Sequence, residues 1–416
     1  MTSYIFNSKS DALTRHKLIK LYALTFCLVG AGFLIAELAI RHYFAHEETY
    51  AEPVSELIPR LATSTISDRE IGNQFLAQNV ALFSHYPVPD EVTAGYVGTS
   101  RTKILQPSHL GLEGRVVGAG NTYNEISYGL ILQADILRLR FPHLKTVYVE
   151  TSLLLRRPGR FMVEPDHLKY LPLLQSLKPL CSTQQEIPGC SAVFAGADAR
   201  VRQKKFRWQS ALHQYRNHLR FSSLAADSKT EMQAQNDPFL KTLTFRGERN
   251  DTLPPTMPAA KLLPEINNDH IKVQRLRDIP TNAPWDGLFD MFAEWGKAHG
   301  IQIVFYQPPV RSDLYNFQKQ YGLAEHVNDL KRISSKYGLP FIDLNKLEVG
   351  LMQDWPLFSD EDHLGTCRGS TLMMLALEQG LIEFKSNNVL EPAIQREQLD
   401  QRLAASGACV DNQSAK

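Results

Sequence analysis

The sequence predicts an α/β protein, with a parallel sheet covered by helices on both faces and one N-terminal transmembrane helix ahead of it. Short apolar segments alternate with longer helical stretches between residues 94 and 384, a pattern typical of parallel sheets. One long apolar segment lies near the N-terminus. The 416 residues are 43% hydrophobic and 21% charged, close to the globular average, which excludes wholesale disorder.

The N-terminal apolar segment runs from Leu18 to Ile40 and is uncharged between Leu21 and Ala36. Lys20 and Glu37 at its ends can extend towards the headgroups, so the segment is able to cross a bilayer. Four basic residues precede or begin it: Lys9, Arg15, Lys17 and Lys20. The positive-inside rule therefore predicts a single-pass protein of the inner or plasma membrane, with a cytoplasmic N-terminus and a periplasmic or otherwise extracytoplasmic main domain.

Two alternatives to an uncleaved anchor remain open. Ala36 and Ala39 supply the small residues of a signal-peptide cleavage site, and an isolated apolar helix can also be a buried core helix. The basic region of about twenty residues and the long apolar run favour the anchor over a cleaved signal peptide. The terminal position and polar flanks of the segment disfavour a core helix.

Glycine and proline residues mark the ends of several predicted elements of the main domain. Gly300 ends a helix and Pro308–Pro309 stops a strand, because neither residue type continues those structures easily. The predicted strands are Ala94–Gly98, Arg115–Gly118, Thr146–Glu150, Ile301–Tyr306 and Phe341–Leu344. The predicted helical runs are Asn124–Arg140, Trp285–His299, Asp313–Tyr337 and Thr366–Phe384.

These elements divide the chain into four regions. Residues 1–44 form a cytoplasmic tail and the anchor, and residues 45–90 form a polar stalk. Residues 91–385 form the sheet domain, interrupted by a large insertion from about residue 158 to residue 280 that is rich in Pro, Gln, Asn and Arg. Residues 386–416 are predicted to be a polar C-terminal tail.

Charge and cysteine content exclude some classes of protein. Lys and Arg number 45 against 44 for Asp and Glu, and this balance disfavours a nucleic-acid partner. The five cysteines contain no C-x-x-C pair of the kind used by structural zinc sites. Cys27 lies in the apolar segment and Cys409 in the tail, while Cys181 and Cys190 flank a loop that either carries a local disulfide or two unpaired thiols.

Two short motifs carry candidate chemistry. The first strand is followed by Gly98-Thr99-Ser100-Arg101, at the edge of a parallel sheet where ligands bind. A serine there is either a nucleophile with an exposed hydroxyl or the N-cap of a following helix. The second motif is Asp360-x-x-His363.

The Asp360–His363 turn supplies the two groups that a serine nucleophile needs. His363 can remove the hydroxyl proton, and Asp360 can fix the tautomer and orientation of the imidazole. An acidic turn with one histidine is also a common N-cap. Asp362 is a rival partner for His363, although its adjacency to the histidine makes the required geometry harder.

With these two motifs, the chain from Ala94 to Phe384, outside the insertion, resembles the SGNH/GDSL hydrolase superfamily. It is most similar to the membrane-anchored branch that includes alginate O-acetylation proteins and the D-alanyl-transfer protein of teichoic acids. Ser100 matches the nucleophile block, and Asp360-x-x-His363 matches the Asp/His block. The resemblance implies a three-layer, doubly wound parallel sheet and a Ser100–His363–Asp360 triad.

The same resemblance implies an oxyanion hole, where this sequence departs from the family. Gly118 and Gly120 occupy the place of the glycine block, but Tyr148–Ser152 contains no Gly-x-Asn-Asp, so the usual asparagine is missing. Asn121 is either a substitute for it or a helix N-cap.

The resemblance implies a serine acyl-esterase or O-acyltransferase that acts on a cell-surface or secreted polysaccharide, alongside a polytopic membrane O-acyltransferase. The missing asparagine block leaves open an inactive accessory protein that binds the polysaccharide or a membrane acyltransferase. No metal or other cofactor is expected. The 13 histidines show no H-x-x-x-H or H-x-H pairing, and Gly118-Ala-Gly120 lacks the third glycine and the lysine of phosphate-binding loops.

Overall fold

A computed structural model describes residues 8–49, 91–102, 104–112, 115–120, 129–156, 253–279 and 287–409. Several expected features lie outside these residues. They are the stalk from residue 50 onwards, Asn121 with the start of its helix, most of the insertion, and the Cys181–Cys190 loop. The N-terminal helix and the sheet domain fall in separate compact units.

The N-terminal unit contains helix α1, Ser8–Thr49. Within it, Lys17–Ala39 has a mean hydropathy of 2.1 over its most apolar window, and none of that window is buried. The Thr25 hydroxyl donates to the carbonyl of Leu21 at 2.9 Å, so this polar group has a partner inside the helix. As expected from the sequence, the helix is long and apolar enough to span a membrane.

The sheet domain is built on five parallel strands in the order β2-β1-β3-β4-β5. This order places the ends of β1 and β3 side by side, so residues that follow those two strands meet at one edge of the sheet. The strands are β1 Ala94–Gly98, β2 Val116–Gly120, β3 Thr146–Glu150, β4 Gln302–Gln307 and β5 Phe341–Asp343. The predicted strands are confirmed to within two residues at each end.

Helices accompany the strands in the alternation that the sequence predicts. After α1, the described helices are α2 Gly129–Arg140, α3 Ile271–Arg277, α4 Gly287–His299, α5 Ser312–Gln320, α6 Leu323–Tyr337, α7 Cys367–Asn387 and α8 Arg396–Ser406. The helical run predicted from Asp313 to Tyr337 is two helices, because Gly322 adopts a left-handed φ of 93° between α5 and α6, a conformation that ends a helix.

Both faces of the sheet are covered by helices. Successive strand residues point to opposite faces. On one face, Tyr96 and Ile342 share a buried cluster with α7. On the other, Phe305 packs edge-on against Phe289 of α4, with ring centroids 5.6 Å apart. Apolar side chains of each strand therefore enter both layers, which is why the strands read as nearly continuous apolar runs.

The described end of the expected insertion packs on the sheet domain. Arg311 donates to the carbonyls of Leu263 at 3.1 Å and Pro264 at 2.8 Å, and the Cys367 backbone N–H donates to the carbonyl of Pro254 at 2.9 Å. These bonds hold residues 253–279 against the segments around residues 311 and 367, close to the Asp/His motif.

The C-terminal segment differs from the polar tail that its composition suggested. Helix α8 buries Leu399 and Leu403 in the same cluster as α7. A disulfide joins Cys409 to Cys367 at the start of α7. A narrow apolar stripe on an otherwise charged helix is sufficient for docking when a covalent bond fixes its end. Residues up to 409 are thus part of the folded domain.

Candidate active site

Ser100 lies in a tight turn directly after β1. The turn is closed by the Thr102 N–H, which donates to the carbonyl of Thr99 at 3.0 Å, and Ser100 is only half-buried. Among the described residues, the next helical segment is the 3₁₀ turn Pro107–Leu110, and Thr99–Thr102 form a turn rather than the start of a helix. Of the two roles open at the sequence level, the position fits a presented hydroxyl better than an N-cap.

Gly98 makes this turn possible. A Cβ at this position would overlap the Thr102 hydroxyl and lie 2.5 Å from Oε2 and 2.8 Å from Cβ of Glu150. The end of β1 therefore approaches the neighbouring strand β3 more closely than any side chain allows. This close approach, rather than a special φ angle, explains the glycine of the Gly-x-Ser motif.

The Asp/His motif occupies a loop between the 3₁₀ turn Trp355–Leu357 and α7. Oδ1 of Asp360 accepts hydrogen bonds from the backbone N–H groups of Asp362 at 2.9 Å and His363 at 2.8 Å. Asp side chains commonly organise turns in this way. The Asp360 carboxylate thus shapes the loop that presents the imidazole.

The structure brings Ser100, His363 and Asp360 into one hydrogen-bonded chain. The Ser100 Oγ lies 2.6 Å from Nε2 of His363. On the other side of the ring, Nδ1 lies 2.8 Å from Oδ2 of Asp360. The three side chains meet the distances that a catalytic triad requires.

Asp362 reaches the same ring nitrogen. Its Oδ1 lies 2.9 Å from Nδ1 of His363. The position of Asp362 next to His363 in the sequence therefore does not prevent this contact, although we expected the geometry to be difficult. The Asp362 side chain is fully buried, and it is ion-paired with Arg101 and Lys272. Asp360, in contrast, is about one-third exposed. Two carboxylates in different surroundings therefore face one imidazole.

The electrostatics of the site favour a charged imidazole. Burial alone would lower the pKa of His363, but hydrogen bonds to Asp360 and Asp362 and the charge of Asp362 raise that pKa to about 9. Burial alone would raise the pKa of the Asp362 carboxyl, but Arg101, His363 and Lys272 hold it well below its usual range. His363 is thus stabilised as an imidazolium between two carboxylates.

Sequence reasoning missed a second buried acid, Glu150, at the end of β3. Its carboxylate accepts hydrogen bonds from the Thr99 N–H at 2.7 Å and from the Thr102 hydroxyl at 2.8 Å. Arg101 lies 3.5 Å from Oε1 of Glu150 and also pairs with Asp362. The signal in the sequence was a carboxylate at the end of an otherwise apolar strand, next to the sheet edge where Ser100 lies.

The residues expected to form the oxyanion hole are placed only in part. Gly120 is the last residue of β2 and pairs in register with Gly98, whereas Gly118 pairs with Tyr96 inside the sheet. Gly120 is therefore two strand positions nearer than Gly118 to the edge where Ser100 lies. Asn121 lies outside the described residues.

Two groups of side chains in the described ranges have the composition of metal sites. One consists of Asp360, Asp362 and His363, whose ligand atoms lie within 4.8 Å of one another. The charge of Asp362 is already balanced by Arg101 and Lys272, which weakens this group as a site for a divalent cation. The other group is His109 with Cys367 and Cys409, and its two cysteines are joined in the disulfide.

No protein-family model matches the chain, and no curated protein matches it significantly.

Proposed function

We propose that the sheet domain is an exported, membrane-anchored serine acyl-esterase or O-acyltransferase that acts on a cell-surface or secreted polysaccharide. The observation that carries this proposal is the Ser100–His363–Asp360 chain, with 2.6 Å between Ser100 Oγ and His363 Nε2 and 2.8 Å between His363 Nδ1 and Asp360 Oδ2. The polysaccharide, the SGNH-like details of the fold and the cooperation with a polytopic membrane acyltransferase rest on the family resemblance of the two motifs.

The chain's own residues support each proton transfer of such a reaction. Neutral His363 takes the proton from Ser100 as Oγ attacks the ester carbonyl carbon. The resulting imidazolium, held by Asp360, then gives that proton to the departing alcohol oxygen. The acyl-enzyme is resolved when a second hydroxyl, from water or from a sugar, gives its proton to His363 and attacks the acyl carbon. As the bond between the acyl carbon and Ser100 Oγ breaks, the imidazolium returns this proton to Oγ and the free serine is restored. Water yields an esterase and a sugar hydroxyl yields a transferase.

The oxyanion of the tetrahedral intermediate needs hydrogen-bond donors aimed at it. We propose three donors: the N–H of Ser100, the N–H groups at the end of β2, and Asn121 in the following segment. The end of β2 lies beside the end of β1 in the register that pairs Gly120 with Gly98, so this part of the sheet edge is adjacent to the Ser100 turn.

A second candidate is an accessory protein that has kept this geometry without turnover. Two observations favour it. The family's asparagine block is replaced by Tyr148–Ser152, whose Glu150 is engaged with the Ser100 turn. A pKa of about 9 for His363 also leaves little of the neutral base at pH 7.

The two candidates are separated by covalent labelling and by activity. A fluorophosphonate probe that reacts with activated serines should label the purified protein, and Ser100→Ala should abolish both labelling and the hydrolysis of a small acetyl ester. Ser335→Ala, which removes an exposed hydroxyl of α6, is the control and should retain both. Labelling of the Ser100→Ala protein at the wild-type level would refute the enzyme proposal.

In cells, the acyl content of the surface polymer measured by NMR extends the test to the native substrate. Wild-type acylation in cells that carry only the Ser100→Ala protein would leave the accessory role as the remaining candidate. Loss of acylation, with the variant still present in the membrane fraction, would support the transferase.

A further inference from the structure

Asp362 holds a full charge in the interior of the site, where water cannot stabilise it. Its side chain has no exposed surface, yet its carboxylate faces three positive or potentially positive groups: Arg101, Lys272 and His363. A buried carboxylate is costly unless it is paired and hydrogen-bonded. Two permanent cations, Arg101 and Lys272, therefore keep the Asp362 carboxylate ionised beside the imidazole.

These cations come from different parts of the chain. Arg101 directly follows Ser100 and also contacts Glu150 at the end of β3. Lys272 lies in the first turn of α3, within the segment expected as the end of the insertion. Asp362 therefore joins three parts of the chain in one network of charges: the turn that carries Ser100, the loop that carries His363, and α3.

We propose that Asp362 is a positioning residue for His363, and that Lys272 of α3 sets how strongly Asp362 holds the imidazolium. This inference deepens the proposed function and rests on it, because it assigns His363 the part of the general base. Asp362 would act on the ring from a rigid, fully buried position. Asp360, which is partly exposed and also organises the loop backbone, would orient the same nitrogen from the solvent side.

The charges around the ring explain why both carboxylates matter. The ionisable groups that face this cluster are Arg101 from the nucleophile turn, Asp360, Glu361 and Asp362 from the loop itself, His270 and Lys272 from α3 and its N-cap, and Glu150 through Arg101. Four carboxylates thus face two permanent cations. The imidazolium of His363 supplies part of the missing positive charge, so removing a carboxylate or a cation should move its titration in opposite directions.

NMR titration of the His363 imidazole in the whole protein tests this without any need for turnover. The ring signals are identified among the 13 histidines by their loss in a His363→Gln sample. Asp362→Asn should lower the pKa of His363 by about 1 or more, the scale of a close opposite charge. Lys272→Met should raise the pKa of His363, because the Asp362 carboxylate then interacts with the imidazolium without a competing lysine. Lys297→Met removes an exposed lysine at the end of α4 and should leave the titration at the wild-type midpoint.

A wild-type midpoint for His363 in Asp362→Asn would overturn the inference. If the Asp362→Asn protein fails to fold, Lys272→Met decides the matter, since a midpoint that is unchanged or lowered refutes the role of Lys272 and Asp362 together. Failure of the proposed function looks different: Ser100→Ala would then be as active as the wild type, whatever the His363 midpoints are.

Discussion

The carboxylate of Glu150 accepts two hydrogen bonds from Thr99, one from the backbone N–H and one from the hydroxyl, each at 2.7 Å. Thr99 immediately precedes Ser100, and Glu150 ends the neighbouring strand β3. The turn that carries the candidate nucleophile is therefore anchored to an adjacent strand by a buried charge, in addition to its own backbone bond. Charge-assisted hydrogen bonds of this kind are about twice as strong as neutral ones.

The first prediction concerns this anchor. Glu150→Gln keeps the shape of the side chain but replaces one acceptor oxygen with an NH₂ group, so part of the Thr99 and Thr102 hydrogen bonding is lost. We expect the free energy of unfolding to fall by about 1–3 kcal/mol. Because a small misplacement of a nucleophile is costly, kcat for an acetyl ester should fall about 10- to 100-fold.

Urea unfolding and steady-state kinetics measure the two effects of Glu150→Gln. Glu348→Gln, at an exposed position in the short 3₁₀ turn Leu347–Val349, is the control and should change neither quantity. Equal stability of the two variants would contradict the anchoring role of Glu150.

The second prediction concerns Gly98. The methyl group of Gly98→Ala would overlap the Thr102 hydroxyl and crowd the Glu150 side chain, and both residues are themselves fixed by hydrogen bonds. Overpacking of this kind typically costs about 1–3 kcal/mol, and we expect the upper end of that range with loss of serine labelling.

Gly95→Ala in the same strand is the matched comparison. Its methyl group would meet mainly a terminal carbon of Leu137, at 2.9 Å, and the end of a leucine side chain can move. Thermal unfolding should rank Gly95→Ala as the milder change. A Gly98→Ala protein of equal or greater stability would show that the close approach of β1 and β3 does not require glycine.

Much of the fold and part of the site could be predicted from the sequence. The strands were visible because each is a short, mainly apolar run, and three of them end at Gly or are followed closely by Pro. The meeting of Ser100 with His363 was predicted from the position of Ser100 after a strand and from the order of the two motifs, which resembles that of a known family. Both signals are local in the chain or depend only on sequential order, which a single sequence contains.

The rest of the site depends on long-range pairing that leaves no pattern in the sequence. Arg101 and Asp362 are 261 residues apart, and Lys272 and Asp362 are 90 apart, so neither ion pair has a characteristic spacing. The disulfide was hidden in the same way, because sequence alone does not give the connectivity of cysteines. Helix α8 was missed since its few buried apolar residues are outnumbered by charged ones.

The third prediction concerns the Cys367–Cys409 disulfide, which links residues 42 apart in sequence. The chain-entropy model assigns about 4 kcal/mol to a loop of that length. Cys409→Ser should therefore destabilise the sheet domain by up to about that amount and loosen α8. Because α7 begins at Cys367, four residues after His363, kcat should fall as well.

Cys27→Ser is the control for this experiment, since Cys27 is a free, exposed cysteine of α1. Urea unfolding measures the change in the free energy of unfolding. Peptide mapping of the unreduced wild-type protein shows whether Cys367 and Cys409 are joined. Alkylation of both Cys367 and Cys409 in protein taken directly from its native compartment would contradict the disulfide.

The fourth prediction concerns membrane topology. Lys17–Ala39 is long and apolar enough to span a bilayer, and the basic residues ahead of it predict a cytoplasmic N-terminus. A reporter enzyme that is active only in the cytoplasm should be silent when fused after Lys416. The same reporter fused ahead of residue 8 should be active, and a strong signal from the Lys416 fusion would refute the export of the domain.

The last prediction follows from the pKa of His363, which two carboxylates raise to about 9 from the ordinary 6.5. Only the neutral imidazole can accept the Ser100 proton, so kcat/KM should rise with pH and level off above about pH 9. Stability changes in the opposite direction, because the raised pKa stabilises the folded state fully below pH 6.5 and this contribution is lost as the pH rises through about 9.

Two pH titrations of the same protein test the expected rise in kcat/KM and the expected fall in the free energy of unfolding. The pH profile of acetyl-ester hydrolysis should show one rising limb near pH 9, and the free energy of unfolding in urea should decline between pH 6.5 and pH 9 in the wild type. His363→Gln has no titrating ring, so its stability should lack this decline. A hydrolysis profile that is already flat at pH 7, with equal declines in stability for both proteins, would mean that His363 titrates as an ordinary histidine and that its two carboxylates do not hold the proton.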